Sequence, residues 1–121
     1  MDYTDVAERY LAAWNAADDE RRAKAVADAW TEDGGYTDPL GEVSGHEAIT
    51  AMIGAVREQF PGHAFRLGGP VDGHHDTARF TWELAPEGAA EATVVGFDVV
   101  ALAGDGRIRQ VYGFLDKVPG A

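Results

Sequence analysis

The spacing of apolar residues changes from about 3.6 to 2 near residue 62. Before this point, apolar residues recur three or four positions apart, which is the pattern of amphipathic helices. The pattern predicts a first helix over residues 3–17, a second after the acidic run at residues 18–20, and a third ending at Pro61-Gly62. The residues predicted to face inward are Tyr3, Val6, Tyr10, Trp14 and Ala17 in the first helix, Ala23, Val26, Ala27 and Trp30 in the second, and Ile49, Met52, Ile53, Val56 and Phe60 in the third.

The segment between the second and third helices has the composition of a loop. Residues 31–44 are rich in Gly, Asp and Pro, which predicts turns around a short extended piece. Ser44 and Glu47 have the spacing of a capping box, in which the two side chains bond the free N–H groups of a helix start. We therefore expect Ser44 to cap the third helix, which follows it.

After residue 62 the alternation of apolar and polar residues predicts strands at 64–67, 77–84, 93–102 and 108–115. The Gly68-Gly69-Pro70 segment separates the first two, and Gly104-Asp105-Gly106 predicts a hairpin turn. Three helices followed by an antiparallel meander indicate an α+β fold, with the helices on one face of the sheet. The length of 121 residues fits one domain, residues 1–121.

The charge balance limits the ligands that we expect. Ten Lys and Arg face 21 Asp and Glu, for a net charge of −11, which opposes binding to nucleic acid or anionic membranes. The absence of cysteine excludes disulfides and thiolate metal sites. No apolar run is long enough for a membrane span, and the N-terminal residues lack a signal-peptide pattern, so a cytoplasmic location is the default.

One acidic residue lies in the middle of the most apolar predicted strand. Asp98 is the single charged residue of the segment 94–102, and a buried carboxylate costs several kcal/mol unless it is paired or protonated. The side chain could point to solvent or meet Arg79 or Arg109. Alternatively, apolar surroundings could keep the carboxyl group neutral, so that it donates a hydrogen bond.

A second acidic residue, Asp38, precedes a proline in the segment Thr37-Asp38-Pro39-Leu40-Gly41. Asp before Pro is typical of a turn, and this interpretation is sufficient on its own. The proline also restricts the backbone on both sides, which would hold a carboxylate at a fixed place. At this point Asp38 can be interpreted either as a turn residue or as a catalytic base.

Several segments together resemble the ketosteroid isomerases and the SnoaL-like polyketide cyclases of the NTF2-like superfamily. The resemblance covers nearly the whole chain in element order. It implies a cone-shaped fold, in which three N-terminal helices and a curved, mostly antiparallel sheet enclose a cavity. The segments that carry it are Glu8-Arg9-Tyr10-Leu11, Trp30-Thr31-Glu32-Asp33, residues 36–41, Gly45-His46-Glu47-Ala48-Ile49, Phe97-Asp98-Val99 and residues 104–108.

The resemblance also implies catalytic roles. In the isomerases the Asp-Pro aspartate is the general base, and Asp38 occupies that position. A tyrosine of the first helix and a protonated aspartate of the penultimate strand bind the oxyanion, and Tyr10 and Asp98 match them. The neutral aspartic acid of these isomerases is a known example of an acid kept protonated by an apolar site. The implied reaction is proton transfer on a hydrophobic ketone, and it uses no metal and no cofactor.

The substrate-binding residues and the oligomer follow from the same expectation. A steroid-like or polyketide-like molecule would contact large side chains of the cavity, and the family resemblance implies a homodimer through the outer sheet face. Aldol-type cyclisation of a polyketide and non-catalytic binding of a small molecule remain alternatives, since fold does not fix function. The predicted substrate-binding residues are Trp14, Trp30, Phe60, Phe80, Trp82 and Phe114.

Two further polar features are interpreted as structural. His74 and His75 are adjacent, and adjacent strand residues point to opposite faces, so a turn is favoured over a metal site. Asp116 is a second candidate acid, but Lys117 and Pro119 beside it indicate a frayed end of the last strand.

Overall fold

The computed structural model describes residues 2–120, which form three helices and seven strands. The three predicted helices and the later strands follow in the predicted order, but two strands lie between the second and third helices. The elements are α1 (Tyr3–Asn15), α2 (Asp19–Ala29), β1 (Trp30–Asp38), β2 (Gly41–Ser44), α3 (His46–Gln59), β3 (His63–Leu67), β4 (Asp72–His74), β5 (Thr77–Pro86), β6 (Val94–Leu102) and β7 (Ile108–Lys117).

The first two helices begin at aspartate caps. The Asp2 carboxylate accepts a bond from the Asp5 N–H, and the Asp18 carboxylate accepts one from the Arg21 N–H, which satisfies free donors of each first turn. The helix α1 ends at Asn15, two residues before the predicted end. The predicted inner face of α2 was partly wrong, since Arg22, Val26 and Ala29 are buried while Ala23 is exposed.

The capping-box prediction for α3 was wrong. Ser44 is the last residue of β2, and Gly45 takes the cap position with φ 87° and no side-chain cap bond. Glycine adopts this conformation at low cost because it has no Cβ. The predicted end was correct, since α3 stops at Gln59, before Pro61-Gly62.

The segment 31–44 is a β-hairpin rather than a loop. β1 runs over nine residues, and Asp38 pairs with Gly41 across a two-residue connection to β2. The prediction failed because β1 obtains its second partner far along the chain, by parallel pairing with β7. Such pairing between distant segments is invisible to local composition.

The sheet order is β2-β1-β7-β6-β5-β3, with β4 paired to β5. All pairs are antiparallel except β1 with β7. The α+β prediction is confirmed, including the antiparallel meander of β5, β6 and β7, while the short strand β4 was not predicted. Register shifts in β1 and at both ends of the β6–β7 pair mark bulges, which bend strands.

The helices cover one face of the sheet, which we call the inner face. Burial along β6 alternates strictly, so that Val94, Asp98 and Val100 point inward while Val95 and Val99 are half-buried on the other, outer face. The core combines inner-face residues of the sheet with helix residues such as Ile49 and Ile53, both 0% exposed. The site described below lies within this layer.

In the described range 2–120, none of the helices is long and apolar enough to cross a membrane.

Candidate active site

Three neighbouring strands bring Asp38, Gly113 and Asp98 into one row on the inner face. Asp98 pairs with Gly113 across β6 and β7, and Asp38 lies one residue beyond the paired Thr37 and Tyr112 of β1 and β7. A Cβ built on Gly113 would lie 2.8 Å from the Asp98 Oδ1 and 3.2 Å from the Asp38 Cβ. The two acids therefore approach each other over the one residue of the row without a side chain.

Asp98 is enclosed in the apolar core, with 1% of its surface exposed. Burial raises the pKa of Asp98 from 3.8 to about 7, because a carboxylate loses its hydration there. The Tyr10 hydroxyl and the Trp82 indole, both donors, lower this pKa, while the charge of Asp38 raises it further. Neither carboxyl oxygen of Asp98 has a hydrogen-bond partner of good geometry among the described residues.

The alternative interpretations of Asp98, solvent exposure or an ion pair with arginine, are wrong. Arg79 has an exposed side chain and pairs with Asp72, with 3.4 Å between Nε and Oδ2. Arg109 is exposed on β7. The strict alternation of β6 turns Asp98 inward, away from both.

Asp38 is both a turn residue and a cavity residue. Its Oδ1 accepts bonds from the backbone N–H groups of Leu40 and Gly41, at 2.8 and 3.0 Å. Its Oδ2 accepts a bond from the Tyr36 hydroxyl at 2.7 Å. One oxygen therefore fixes the turn, and the other remains beside the cavity that Asp38 lines.

Tyr36 is a site residue that the sequence interpretation missed. It is 4% exposed, lies two residues before Asp38 on the same face of β1, and lines the same cavity. Burial, followed by the charges of Asp98 and Asp38 and the bond to Asp38, raises the pKa of Tyr36, so its hydroxyl keeps its proton. The missed signal was the two-residue spacing of Tyr36 and Asp38, which places them on one face once the segment is a strand.

Tyr10 projects from α1 into the same region, and 2% of it is exposed. Burial and the neighbouring Asp98 raise the pKa of Tyr10 far above its usual range, so this hydroxyl is also a stable donor. Its ring packs against Trp30, with 5.3 Å between centroids, and against Phe80 at 5.4 Å. These contacts fix the direction in which the hydroxyl points.

An apolar cavity of about 300 Å³ opens beside these groups. This volume lies at the lower end of the range for small-molecule sites. Tyr10, Tyr36, Asp38 and Gln59 are the polar members of the lining among the described residues. The complete lining consists of Tyr10, Leu11, Trp14, Tyr36, Asp38, Leu40, Val56, Gln59, Phe60, Phe65, Trp82, Leu84, Val94, Leu115, Val118 and Pro119.

The structure brings some of the predicted substrate-binding residues to the cavity and not others. Trp14, Phe60 and Trp82 line it. Trp30 and Phe80 do not, because they are buried behind Tyr10, and the Trp30 indole N–H donates to the Gly35 carbonyl. Phe114 is 50% exposed on the outer face, where it stacks on Phe97, since residues of β7 alternate between faces.

Asp98 is likewise absent from the lining and lies beneath it. The hydroxyl of Tyr10, which does line the cavity, is one of the groups that influence the pKa of Asp98.

The remaining polar candidates lie elsewhere. His74 and His75 are exposed, and His75 has φ 50°, as expected for a turn. Within residues 2–120, no three His, Asp or Glu side chains are grouped as metal ligands would be. Asp116 is exposed near the end of β7.

Comparison with known proteins identifies similar sequences and structures. The SnoaL-like domain family matches residues 7–111. A proposed isomerase of the SnoaL-like family from Agrobacterium tumefaciens is 47% identical, with a TM-score of 0.87 over 94% of this chain and 97% of that one. No curated protein matches the chain.

Two more distant structures share the fold. A SnoaL-like protein of unknown function from Burkholderia thailandensis is 15% identical, with a TM-score of 0.72 over 94% of both chains. A proposed polyketide cyclase from Sinorhizobium meliloti is 16% identical, with a TM-score of 0.69 over 90% of this chain and 93% of that one. The predicted NTF2-like superfamily and its SnoaL-like branch are confirmed.

The buried acid predicts an unusual dependence of stability on pH. Between pH 4 and 7 the folded protein keeps the Asp98 proton while the unfolded chain has lost it, so the free energy of unfolding falls as pH rises through this window. Between pH 5 and pH 8 the free energy of unfolding of the wild type should fall by about 3 kcal/mol relative to that of Asp98→Asn, which is neutral throughout. Urea denaturation at pH 5 and pH 8 measures the difference.

The control for this measurement is Glu20→Gln, which removes an exposed carboxylate of α2. Its free energy of unfolding should follow the wild type at both values of pH. Equal pH dependence in the wild type and in Asp98→Asn would contradict the raised pKa of Asp98.

Proposed function

Because the chain belongs to the SnoaL-like family, we propose that residues 1–121 act as a single-domain, cofactor-free acid–base enzyme on a hydrophobic ketone, as a ketosteroid isomerase does. The observation that carries this proposal is the meeting of one carboxylate and two tyrosine hydroxyls in a mainly apolar cavity. Asp38 is the proposed base, and Tyr10 is the proposed donor to the substrate oxygen.

The proposed reaction moves one proton between two carbons of the substrate. The Asp38 carboxylate removes a proton from the carbon next to the carbonyl group, and the electrons of that C–H bond form a C=C bond while the oxygen becomes negative. In a ketone whose C=C bond lies one carbon further from the carbonyl group, the protonated Asp38 then returns the proton to the far carbon of that bond. The oxygen's electrons re-form the C=O bond, and the C=C bond shifts into conjugation with it. An apolar wall supports this exchange because it keeps water from the carried proton.

Donors for the negative oxygen come from α1. Tyr10 lines the cavity, and so does Trp14, whose indole N–H is buried and has no acceptor within the described residues. A buried N–H without a partner costs free energy that a ligand oxygen would recover. Donors that are already oriented toward a developing charge lower the barrier of the reaction.

We assign Asp98 to the support of Tyr10, because it lies beneath the cavity lining. A neutral Asp98 can donate its proton to the Tyr10 oxygen, which leaves the Tyr10 proton for the substrate. An ionised Asp98 would instead accept a hydrogen bond from the Tyr10 hydroxyl, which would turn that proton away from the ligand. The pKa of about 7 for Asp98 makes the neutral form the dominant one in mildly acidic solution.

The same residues would serve an aldol-type cyclisation, since that reaction also begins with removal of a proton next to a carbonyl group. The resemblance in fold to the proposed cyclase from Sinorhizobium meliloti keeps this alternative open. Assays with a Δ5-3-ketosteroid and with an open-chain polyketide ester distinguish the two reactions. A non-catalytic binding protein would turn over neither.

Replacement of the base tests the proposal directly. Asp38→Asn keeps a side-chain oxygen for the Leu40 and Gly41 N–H groups but removes the base, so kcat should fall at least about 100-fold. Glu32→Gln, an exposed acid on the same strand, is the control and should leave kcat unchanged. An Asp38→Asn protein with wild-type turnover would refute the assignment of the base.

The assignment of Asp98 predicts a pH profile. Turnover by the wild type should decrease as pH rises through about 7, because ionised Asp98 turns the Tyr10 proton away from the ligand. Asp98→Asn presents an N–H donor at every pH, so this decrease should be absent from its profile. Steady-state kinetics between pH 5.5 and 8.5 compare the two proteins. If turnover decreased equally in both, a group other than Asp98 would be responsible for the decrease.

We also propose a homodimer through the outer face of the sheet. Phe114 and Tyr112 are 50% and 45% exposed there, and Phe114 stacks on Phe97 at 5.0 Å between ring centroids. Phe114→Glu should convert the dimer to a monomer, as measured by light scattering coupled to size-exclusion chromatography. Ala12→Glu, on the exposed side of α1, should remain dimeric, and a wild-type protein that is already monomeric would contradict the proposal.

A further inference from the structure

Aromatic rings form a connected part of the cavity wall. Six of the lining residues are aromatic, and neighbouring rings meet at interplanar angles of 51° to 63° rather than stacking. Rings that meet at such angles present faces in different directions. The six are Tyr10, Trp14, Tyr36, Phe60, Phe65 and Trp82.

The rings form a connected row that starts at the carboxylate. Tyr36, which donates to Asp38, lies 5.9 Å from Trp14 between ring centroids. Trp14 lies 5.0 Å from Phe65, and Phe65 lies 5.5 Å from Trp82. A cation is attracted to a ring face within about 6 Å of its centroid, so one cation can contact two of these rings at once.

The charges of the lining have one sign. Asp38 is its charged member, and no Lys, Arg or His in the described part of the chain lines the cavity. The net charge of the protein is −11. An anionic ligand would therefore enter without a counter-ion, while a cation would meet a carboxylate and a wall that contains aromatic rings, whose faces attract cations.

We propose that this cavity binds lipophilic quaternary ammonium ions, with Asp38 as the counter-ion and the row from Tyr36 through Trp14 and Phe65 to Trp82 as the wall. A quaternary ammonium fits this lining because it has no N–H group that would need an acceptor. The inference extends beyond the proposed ketone reaction and does not depend on it, because binding requires no proton transfer.

Asp38 is suited to the role of a fixed counter-ion. It accepts three hydrogen bonds, two from backbone N–H groups and one from Tyr36, so its position is set before any ligand enters. A charge that is already oriented needs no ordering when the ligand binds. The same property makes Asp38 a good test position, because asparagine preserves the turn and removes the charge.

The experiment compares two ligands of equal shape that differ in charge, phenyltrimethylammonium and tert-butylbenzene. Trp14 and Trp82 line the cavity, so the binding of either ligand to the full-length protein can be followed by tryptophan fluorescence. We expect the cation to bind about tenfold more tightly than the neutral ligand, or better. Equal affinities, or tighter binding of tert-butylbenzene, would overturn the inference.

Two variants and one control distinguish the contribution of the Asp38 charge to cation binding from that of the rings. Asp38→Asn should lose the preference for the cation, while Glu20→Gln, which makes the same change in net charge at an exposed position of α2, should keep it. Phe65→Leu keeps the wall apolar but removes one ring of the row. It should therefore lower the affinity for the cation more than the affinity for the neutral ligand. Retention of the full preference in Asp38→Asn would show that the counter-ion is not Asp38 and would refute the proposal.

The outcomes are independent of catalysis. A protein that prefers the cation but turns over no ketone would support the binding site and contradict the enzyme. A protein that turns over a ketone but shows no preference for the cation would support the enzyme and contradict the binding site.

Discussion

The parallel pairing of β1 with β7 is the constraint on which the site depends. Every other strand pair of the sheet is antiparallel, and a β1 left outside the sheet would leave Asp38 on a surface loop. The pairing places Asp38 over Gly113, across from Asp98 on β6. The closeness of the two acids follows from this register, and through it the charge of Asp38 adds to the effect of burial on the pKa of Asp98.

The local pattern of the chain was sufficient for the helices and the meander, because their hydrophobic periods are regular over many residues. It was insufficient for β1, because Gly34, Gly35 and the following Pro39 suggested loops. The partner strand β7 lies about 75 residues further along the chain. Tyr36 was missed for the same reason. A residue in a loop has no defined face, whereas in β1 it shares the inner face with Asp38.

Sequence reasoning identified the polar residues of the candidate site better than the apolar residues that line its cavity. Asp38, Tyr10 and Asp98 do converge, because each belongs to an element whose position the fold determines. Aromatic residue type alone could not separate lining residues from packing residues. Trp30 and Phe80 support Tyr10 from behind, and Phe114 faces outward, since position on a strand decides which side a ring covers.

The two backbone bonds at the turn give Asp38 a connection to the protein surface. The N–H groups of Leu40 and Gly41 both donate to its Oδ1, and both residues are exposed, with Leu40 81% accessible. Protonation of Asp38, or its pairing with a bound cation, alters the electron density at the oxygen to which these amides bind. The amide resonances of Leu40 and Gly41 in a nuclear magnetic resonance spectrum are therefore natural reporters of what occupies the cavity, without any label inside it.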